Sequence, residues 1–286
     1  MKLLFNLNFK LLTGAIFIFL AILFDANTPI KSETCEENPE TFATSCFKTP
    51  VTYKTRVYEL GFCKSDPLSG TTGTGINVTS NHVIDETSCV PTFISDSGSL
   101  VDLSTIGASQ ILDGTNISPP SGTYPFAYIK VSNTFVLKGT QLVNGVPFYS
   151  SSDGTATKLL SEYVEWNNTV IDFEKGTECE PLSNNRMMAG AETYTSGITG
   201  TMKALLSHIS DEKIVATTPD DCGISNRIYA SFKPTNPVII TDSTKGLEVL
   251  FSIKNTGLSV VPWSGPNDLE VGYFSTGPIL PKFQTF

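Results

Sequence analysis

The amino-acid sequence predicts an all-β protein, an antiparallel β-sandwich with long loops and one short helix. The strongest observation is the stretch 122–149, in which apolar and polar residues alternate. Its apolar positions are Ala127, Ile129, Val131, Phe135 and Leu137. Because side chains on a strand alternate between its two faces, the stretch predicts a long, half-buried strand with odd-numbered residues in the core.

Two further observations favour the same fold class. Asn144-Gly145 lies between apolar runs, and this dipeptide favours the type I′ turn of a β-hairpin. A second alternation places apolar residues at every other position from Leu247 to Ile253. Short strand-like segments separated by turn residues make up most of the chain, with little helical periodicity, which is typical of a sandwich.

The N-terminal segment 1–32 predicts a secretory signal peptide. Lys2 and Lys10 precede a run of apolar or small residues at 11–24, which is too short to span the roughly 30 Å core of a bilayer. An uncleaved membrane anchor is the alternative. We expect a mature chain that does not insert into membranes and that is secreted, periplasmic or held at the cell surface.

Six cysteines follow the apolar run: Cys35, Cys46, Cys63, Cys89, Cys179 and Cys222. An even number behind an export signal predicts three disulfides in an oxidising location. We favour pairing in sequence order, which joins Cys35 to Cys46, Cys63 to Cys89, and Cys179 to Cys222. A zinc site is the alternative, but the sequence has no Cys-x-x-Cys pair.

After the signal peptide, 33–49 predicts a polar, cysteine-bearing strap and 50–286 predicts one sandwich domain. The first strand of this domain is predicted at 51–63. Its apolar residues occupy odd-numbered positions before Glu59 and even-numbered positions after it. A β-bulge near Glu59 explains this change. Two short strands separated by turn residues are predicted within 90–104.

The later part of the chain carries the predicted helix and further strands. A spacing of i, i+3, i+4, i+7 predicts a short helix at 201–210. The residues with this spacing are Met202, Leu205, Leu206 and Ile209. The surrounding segment 177–221 is a candidate insertion in the sandwich. Strands are predicted on both sides of it, at 162–173, 227–232, 238–241, 247–253, 258–261, 269–274 and 279–283.

Several segments occur in an order that is typical of one class of exported domains. They are a first strand at 53–60, Val101-Asp102-Leu103-Ser104, Gly122-Thr123-Tyr124 at the start of the alternating strand, a late strand at 247–253 and a Pro-containing end at 277–281. In this order, over roughly 50–284, the chain resembles exported bacterial β-sandwich domains with an immunoglobulin-like or prealbumin-like fold. The resemblance implies that fold and supplies no activity and no catalytic residues.

The formal net charge of −9 argues against two classes of partner. An acidic surface repels phosphate backbones, so we expect no nucleic-acid partner, and it also argues against anionic membranes. The glycine-rich stretch 69–75 has no Gly-Lys-Ser/Thr motif and no helix after it. It therefore predicts a flexible loop instead of a phosphate site.

The sequence predicts no catalytic residue and no cofactor. His82 and His208 are the only two histidines, and no Gly-x-Ser-x-Gly motif accompanies them. A carboxylate-dependent hydrolase is an alternative that would use Glu162, Glu165, Asp172 and Glu174. On a strand, however, Glu162 and Glu165 point to opposite faces. Calcium is a further alternative, with ligands at Asp211-Glu212 and Asp220-Asp221 that lack the spacing of an EF-hand loop.

Aromatic residues are the one positive sign of a ligand surface. Phe126 and Tyr128 lie on the polar parity of the alternating strand, and together with Trp166 they predict a ligand platform. The alternative is that a second sheet or an insertion covers this face. We therefore expect an exported, non-enzymatic binding or structural component with a glycan or a protein as partner. The alternatives are the carboxylate-dependent hydrolase and a surface subunit that self-assembles through its edge strands.

Overall fold

The computed structural model describes residues 34–70, 83–105, 110–170, 192–194, 200–210, 213–216, 224–244, 246–263 and 269–285. Several antiparallel sheets pack together in a sandwich, which confirms the predicted fold class. The one helical element in these ranges is a single 3₁₀ turn at Leu160–Glu162. The described part of the chain contains no helix that is long and apolar enough to cross a membrane.

The strands are numbered in chain order. They are β1 (Cys46–Lys48), β2 (Thr52–Cys63), β3 (Cys89–Asp102), β4 (Thr115–Asn116), β5 (Gly122–Tyr124), β6 (Phe126–Ser132), β7 (Thr134–Lys138), β8 (Thr140–Val143), β9 (Val146–Ser150), β10 (Ala156–Thr157), β11 (Trp166–Thr169), β12 (Glu192–Tyr194), β13 (Gly200–Ser210), β14 (Lys213–Ala216), β15 (Arg227–Pro234), β16 (Val238–Ile240), β17 (Leu247–Ser252), β18 (Leu258–Pro262), β19 (Val271–Thr276) and β20 (Leu280–Thr285).

A large sheet forms one layer of the sandwich. Its order is β4-β3-β2-β6-β15-β13, and β12 and β14 both pair with β13. β7 and β11 continue the sheet beside the first residues of β2. The smaller sheets β1-β18-β19, β8-β9-β10, β5-β16 and β17-β20 contribute side chains to the core on its inner face.

The predicted alternation in the middle of the chain is confirmed. The odd-numbered side chains of β6 and β7 are buried on the inner face, together with Tyr53 and Val57 of β2. The alternating stretch is two strands instead of one, interrupted at Asn133. The side-chain amide of Asn133 donates hydrogen bonds to the carbonyl oxygens of Val170 (2.8 Å) and Ser225 (2.7 Å). A buried, satisfied polar group thus joins two neighbouring segments at the interruption.

The backbone confirms two local predictions. Asn144 (φ 46°) and Gly145 (φ 75°) make the two-residue turn between β8 and β9. The pairing of β2 with β6 skips Tyr58, next to Glu59, where the bulge is predicted. By contrast, the two strands predicted within 90–104 are one strand, β3. The residues between Ile94 and Ser99, which include the predicted turn, form a bulge in its pairing with β2.

The predicted helix at 201–210 is wrong. This segment is strand β13, which pairs with β15 over eight consecutive residues. Met202 and Leu206 enter the main core on one face, and Leu205 enters a second cluster on the other face. A strand that is buried on both faces has apolar residues at both odd-numbered and even-numbered positions. Such a pattern can match the i, i+3, i+4, i+7 spacing of a helix. Ile209, the last apolar position of the predicted helix, is exposed.

The N-terminal strap is tied to the β8–β9 hairpin. A disulfide joins Cys35 to Cys46, which confirms the first predicted pair. Gln141 of β8 is fully buried. Its amide nitrogen donates to the carbonyl oxygen of Glu36 (2.8 Å), and its amide oxygen accepts from Lys48 Nζ (3.3 Å). The strap therefore satisfies a polar group that the hairpin buries.

The outer edge of β3 is shielded by the chain that follows it. β4 pairs with Phe93 and Ile94 of β3. Farther along, the Gln110 side chain accepts a hydrogen bond from the backbone nitrogen of Asp102 (3.0 Å) and donates one to its carbonyl oxygen (2.5 Å). An amide side chain thus takes both positions that a neighbouring strand would use, and so protects an exposed sheet edge.

Candidate functional site

The even-numbered side chains of β6 and β7 point away from the main core, to the outer face of the large sheet. We call the part beside β6 the covered half; it contains Phe126, Tyr128 and Lys130. The part beside β7, with the adjoining residues of β2, β11 and β15, is the open half; it contains Val136 and Lys138. The two halves lie on one face of one sheet but have different surroundings.

The described parts of a disulfide-closed segment, 64–70 and 83–88, lie over the covered half. Cys63 and Cys89 are bonded, which confirms the second predicted pair. Between them, Leu68 is buried against the sheet and Ile84 packs beside it. The result is a second cluster of buried side chains, separate from the main core, that consists of Cys63, Leu68, Tyr128, Leu205 and Tyr229.

The predicted platform of Phe126, Tyr128 and Trp166 is wrong. Tyr128 is 2% exposed under the disulfide-closed segment, and Phe126 packs against the same cluster. Trp166 is 3% exposed, because β11 pairs it with Leu137, whose side chain points into the main core. Its ring centre lies 6.4 Å from that of Phe274. The alternative, a face covered by another part of the chain, is what the structure shows for the covered half.

Lys130 lies between two carboxylates in the covered half. Its Nζ is 2.9 Å from Glu59 Oε2 and 2.8 Å from Glu86 Oε1. Tyr128 Oη donates a hydrogen bond to Glu59 Oε1 at 2.5 Å. The ring of Tyr128 stacks on that of Tyr229, with centroids 5.7 Å apart and an angle of 4° between the planes. We call these five residues the ionic cluster.

The surroundings of the ionic cluster raise the pKa of both of its tyrosines. Burial raises the pKa of Tyr128, and the negative charge of Glu59 raises it further. Burial raises the pKa of Tyr229 in the same way, with a further contribution from the charge of Glu86. Tyr128 is therefore held as a hydrogen-bond donor to Glu59, while two carboxylates share the single cation of the cluster.

Two of the carboxylates that the sequence offers for hydrolysis, Glu162 and Glu165, are described by the structure, and these two do not converge. Glu162 Oε2 accepts a hydrogen bond from Thr157 Oγ1 (2.6 Å), whereas Glu165 Oε1 is 3.0 Å from Lys54 Nζ. Two other carboxylates do converge in the ionic cluster, but both contact the Lys130 ammonium. A cavity on the inner face behind this cluster has apolar walls and a volume of about 10 Å³, which is room for about one water molecule.

Several predicted positions lie outside the described residues: the segment 1–32, His82, Asp172, Glu174, Cys179, Asp211, Glu212, Asp220, Asp221 and Cys222. His208 is described, and it is buried within β13 instead of ending a helix. Within the described ranges, no group of three or more His, Cys, Asp or Glu side chains is placed to hold a metal ion.

Cations lie over aromatic rings on the open half. Lys138 Nζ is 4.1 Å from the ring centre of Tyr163. The Arg227 guanidinium is 3.5 Å from the ring centre of Tyr58, the bulged residue of β2. Burial lowers the pKa of Arg227 from its ordinary value, and an arginine so placed still carries its charge at neutral pH. Contacts of this kind position a cation without neutralising it.

Three cations of the open half have no carboxylate partner in the part of the chain that the structure describes: Lys138, Arg56 and Arg227. Arg56 Nη1 instead donates to the carbonyl oxygen of Gly98 (2.8 Å). Lys54, on the same face, is paired with Glu165. On a chain with 28 acidic and 19 basic residues, three unpaired cations on one face make a local reversal of the net charge.

Comparison of the chain with protein-family models, with curated proteins and with solved structures found no match. The sequence indicates neither the ionic cluster nor the group of cations. Its one signal is that Lys130 and Lys138 lie on the polar parity of the alternating stretch. Their neighbours Glu86 and Arg227 are distant along the chain, so only the disulfide-closed segment and the strand order bring these residues together.

Proposed function

We infer that this protein is an exported, non-enzymatic β-sandwich that acts in the periplasm or at the cell surface as a binding component for an acidic polysaccharide. The observation that carries this function is the group of three cations on the open half that have no carboxylate partner among the described residues. The signal-like segment 1–32 and the two disulfides support an exported location. The likeness to exported immunoglobulin-like or prealbumin-like domains, which assigns no activity, agrees with a binding role.

The spacing of the cations favours a polymer as the ligand. Lys138 lies opposite Thr52, and Arg56 is four residues farther along β2, which places them roughly 13 Å apart along the strand. Arg227 lies beyond Arg56, over the ring of Tyr58. A single small anion cannot contact charges at this spacing, whereas an extended chain with repeated carboxylate or sulfate groups can.

The surface around the cations favours a sugar polymer over an acidic peptide. Asn167 is exposed on β11, and the Thr134 and Thr169 hydroxyls share a hydrogen bond (2.9 Å) nearby. Amides and hydroxyls both donate and accept hydrogen bonds, as sugar hydroxyls do. Two carboxylates, Asp102 and Glu165, lie on the same face near the paired lysine, so the attraction for an anion is limited to the unpaired cations.

Isothermal titration calorimetry of the disulfide-bonded protein tests this function. The probes are dextran sulfate and polygalacturonate, with uncharged dextran and polyglutamate for comparison. Lys138→Ala and Arg56→Ala are each expected to weaken binding of the acidic polysaccharides roughly threefold to tenfold, because each variant loses one charged contact. Lys254→Ala, at an exposed position in the β17–β18 turn, is the matched control and leaves binding unchanged.

Salt and the comparison polymers separate the possible outcomes. Binding through these cations weakens as added salt shortens the range of electrostatic attraction. Equal binding of uncharged dextran contradicts the proposal, and so does a Lys138→Ala affinity equal to that of the Lys254→Ala control. Tighter binding of polyglutamate than of either acidic polysaccharide assigns the open half to an acidic peptide instead.

A further inference from the structure

Large apolar side chains are exposed at the 3₁₀ turn and at the ends of β18 and β19, on two segments that the Lys158–Glu270 ion pair joins. Their exposed fractions are 57% for Leu159, 67% for Leu160, 63% for Trp263 and 41% for Leu269. An ion pair between Lys158 and Glu270 lies among them. We call these four apolar residues and the ion pair the tip patch.

Backbone contacts hold the two sides of the tip patch together. The backbone nitrogen of Trp263 donates to the carbonyl oxygen of Glu270 (2.9 Å), which joins the ends of β18 and β19. The backbone nitrogen of Phe274 donates to the carbonyl oxygen of Gly154 (2.8 Å), which sets the turn before β10 beside β19. The side chain of Lys158 then reaches Glu270 from that second segment. The patch therefore rests on paired strands.

We propose that the tip patch is the contact surface between two copies of this chain, related by a two-fold axis. A two-fold interface requires a surface that is complementary to itself. A cation and a carboxylate side by side meet this requirement, because rotation places each Lys158 against Glu270 of the other copy. The apolar side chains around the pair lose contact with water in the interface, and tryptophan is among the residues that contribute most to such contacts.

The net charge favours this place for a second copy. With a charge of −9 on each chain, two copies repel one another over most of their surfaces. The Lys158–Glu270 pair is formally neutral, and the apolar side chains beside it carry no charge. Two tip patches that face each other therefore attract while the remaining acidic surface stays in water.

A patch of four apolar side chains and one ion pair leads us to expect a reversible contact. Interfaces well below the standard size of about 1,600 Å² are typical of transient complexes. We therefore expect a monomer–dimer equilibrium with a dissociation constant between roughly 1 μM and 1 mM.

Sedimentation velocity of the disulfide-bonded protein over a range of concentrations is the first test. The wild-type chain is expected to form dimers as its concentration rises. Trp263→Ala and Leu160→Ser are each expected to weaken dimerisation by about tenfold or more, since each removes apolar surface from the centre of the contact. Ile239→Ser, which removes an apolar side chain of similar exposure (57%) on β16, is the control and leaves dimerisation unchanged.

Charge reversal distinguishes the two-fold contact from nonspecific association. Lys158→Glu makes the pair entirely acidic and Glu270→Lys makes it entirely basic, so each variant alone is expected to be monomeric. An equimolar mixture of the two variants is expected to form heterodimers, and the chain with both reversals is expected to form homodimers again. These side chains are exposed, so each variant keeps the melting temperature of the wild type.

Three results would overturn the proposal. One is a wild-type chain that is monomeric at every concentration. Another is a dimer that survives Trp263→Ala. The third is a mixture of the two charge-reversed variants that does not associate.

Discussion

The two halves of the outer face differ, although the residues beneath them alternate in the same way. Lys130 in the covered half lies between Glu59 and Glu86, whereas Lys138 in the open half lies over the ring of Tyr163. Each lysine follows a buried apolar residue along the chain. The alternation therefore decides the face to which a side chain points, and a segment distant in sequence decides whether water reaches it.

A charged side chain that another segment covers needs an opposite charge or hydrogen-bond partners. A charged group that is removed from water is costly unless an opposite charge and hydrogen bonds compensate for the lost hydration. The covered half meets this condition through the ionic cluster. In the open half, Lys54 has a carboxylate partner, whereas Lys138, Arg56 and Arg227 have none among the described residues and remain partly or fully exposed to water. Charges that support the fold and charges that are free for a ligand can thus be told apart by what covers them.

The largest expected effect comes from opening the disulfide over the covered half. Replacing both Cys63 and Cys89 by Ser is expected to lower the free energy of unfolding by about 3.5 kcal/mol, because the bond closes a separation of 26 residues. The same change at Cys35 and Cys46, which are 11 residues apart, is expected to cost about 2.8 kcal/mol. Urea unfolding measures both values. A smaller loss for Cys63 and Cys89 would show that their segment covers the sheet without stabilising it.

The second test replaces the two lysines by methionine. Lys130→Met leaves Glu59 and Glu86 facing each other in a partly buried site, and we expect a loss of about 2–3 kcal/mol in the free energy of unfolding. Lys138→Met leaves no partner unpaired, so its stability stays within about 0.5 kcal/mol of the wild type. Equal losses in urea unfolding of the two variants would remove the distinction between the halves.

The third test compares two tyrosines. Tyr128→Phe removes the hydrogen bond to the Glu59 carboxylate, and we expect a loss of about 1.5 kcal/mol, which is typical of a hydrogen bond to a charged group. Tyr163→Phe keeps the ring under Lys138 and is expected to change stability by less than about 0.5 kcal/mol. Thermal unfolding of the two variants provides the comparison. A Tyr128→Phe protein as stable as Tyr163→Phe would mean that the hydrogen bond to Glu59 adds nothing.

Alkaline pH tests the burial of the two tyrosines of the ionic cluster. The folded chain holds the pKa of Tyr128 and Tyr229 above the ordinary value, so it keeps protons that the unfolded chain releases at about pH 10. This stabilisation is complete below about pH 10 and is lost as the pH rises above that value. In an ultraviolet absorbance titration, both tyrosines are expected to ionise only as the protein unfolds. Full ionisation of all tyrosines in protein that is still folded would contradict their burial.

The parts of the fold that are predictable from the sequence depend on neighbours along the chain. Asn144-Gly145 specifies its turn without distant residues. The alternation of apolar and polar residues likewise predicts that the odd-numbered side chains of β6 and β7 point to the inner face. Cys35 and Cys46 are close enough in sequence for their pairing to be favoured by a short loop. The segment 201–210 is different, because burial on both of its faces depends on residues far away in the chain, and its apolar pattern alone imitates a helix.

The candidate site depends on such distant residues throughout. Lys138, Arg56 and Arg227 come from three strands, and only the order β7-β2-β6-β15 places them on one face. The indole ring of Trp166 is suited to ligand binding. Because β11 pairs Trp166 with Leu137, however, its side chain points into the core. Composition thus identifies the kinds of side chain that bind a ligand, and strand register decides which of them reach the surface.

Gln110 occupies the pairing position of Asp102, the last residue of β3, at one edge of the large sheet. A free edge can template a further strand, and each added strand presents a new edge, so growth of this kind has no natural end. The Gln110 amide satisfies Asp102 without offering another edge in its place. A strand from another molecule therefore cannot pair at Asp102 without displacing Gln110.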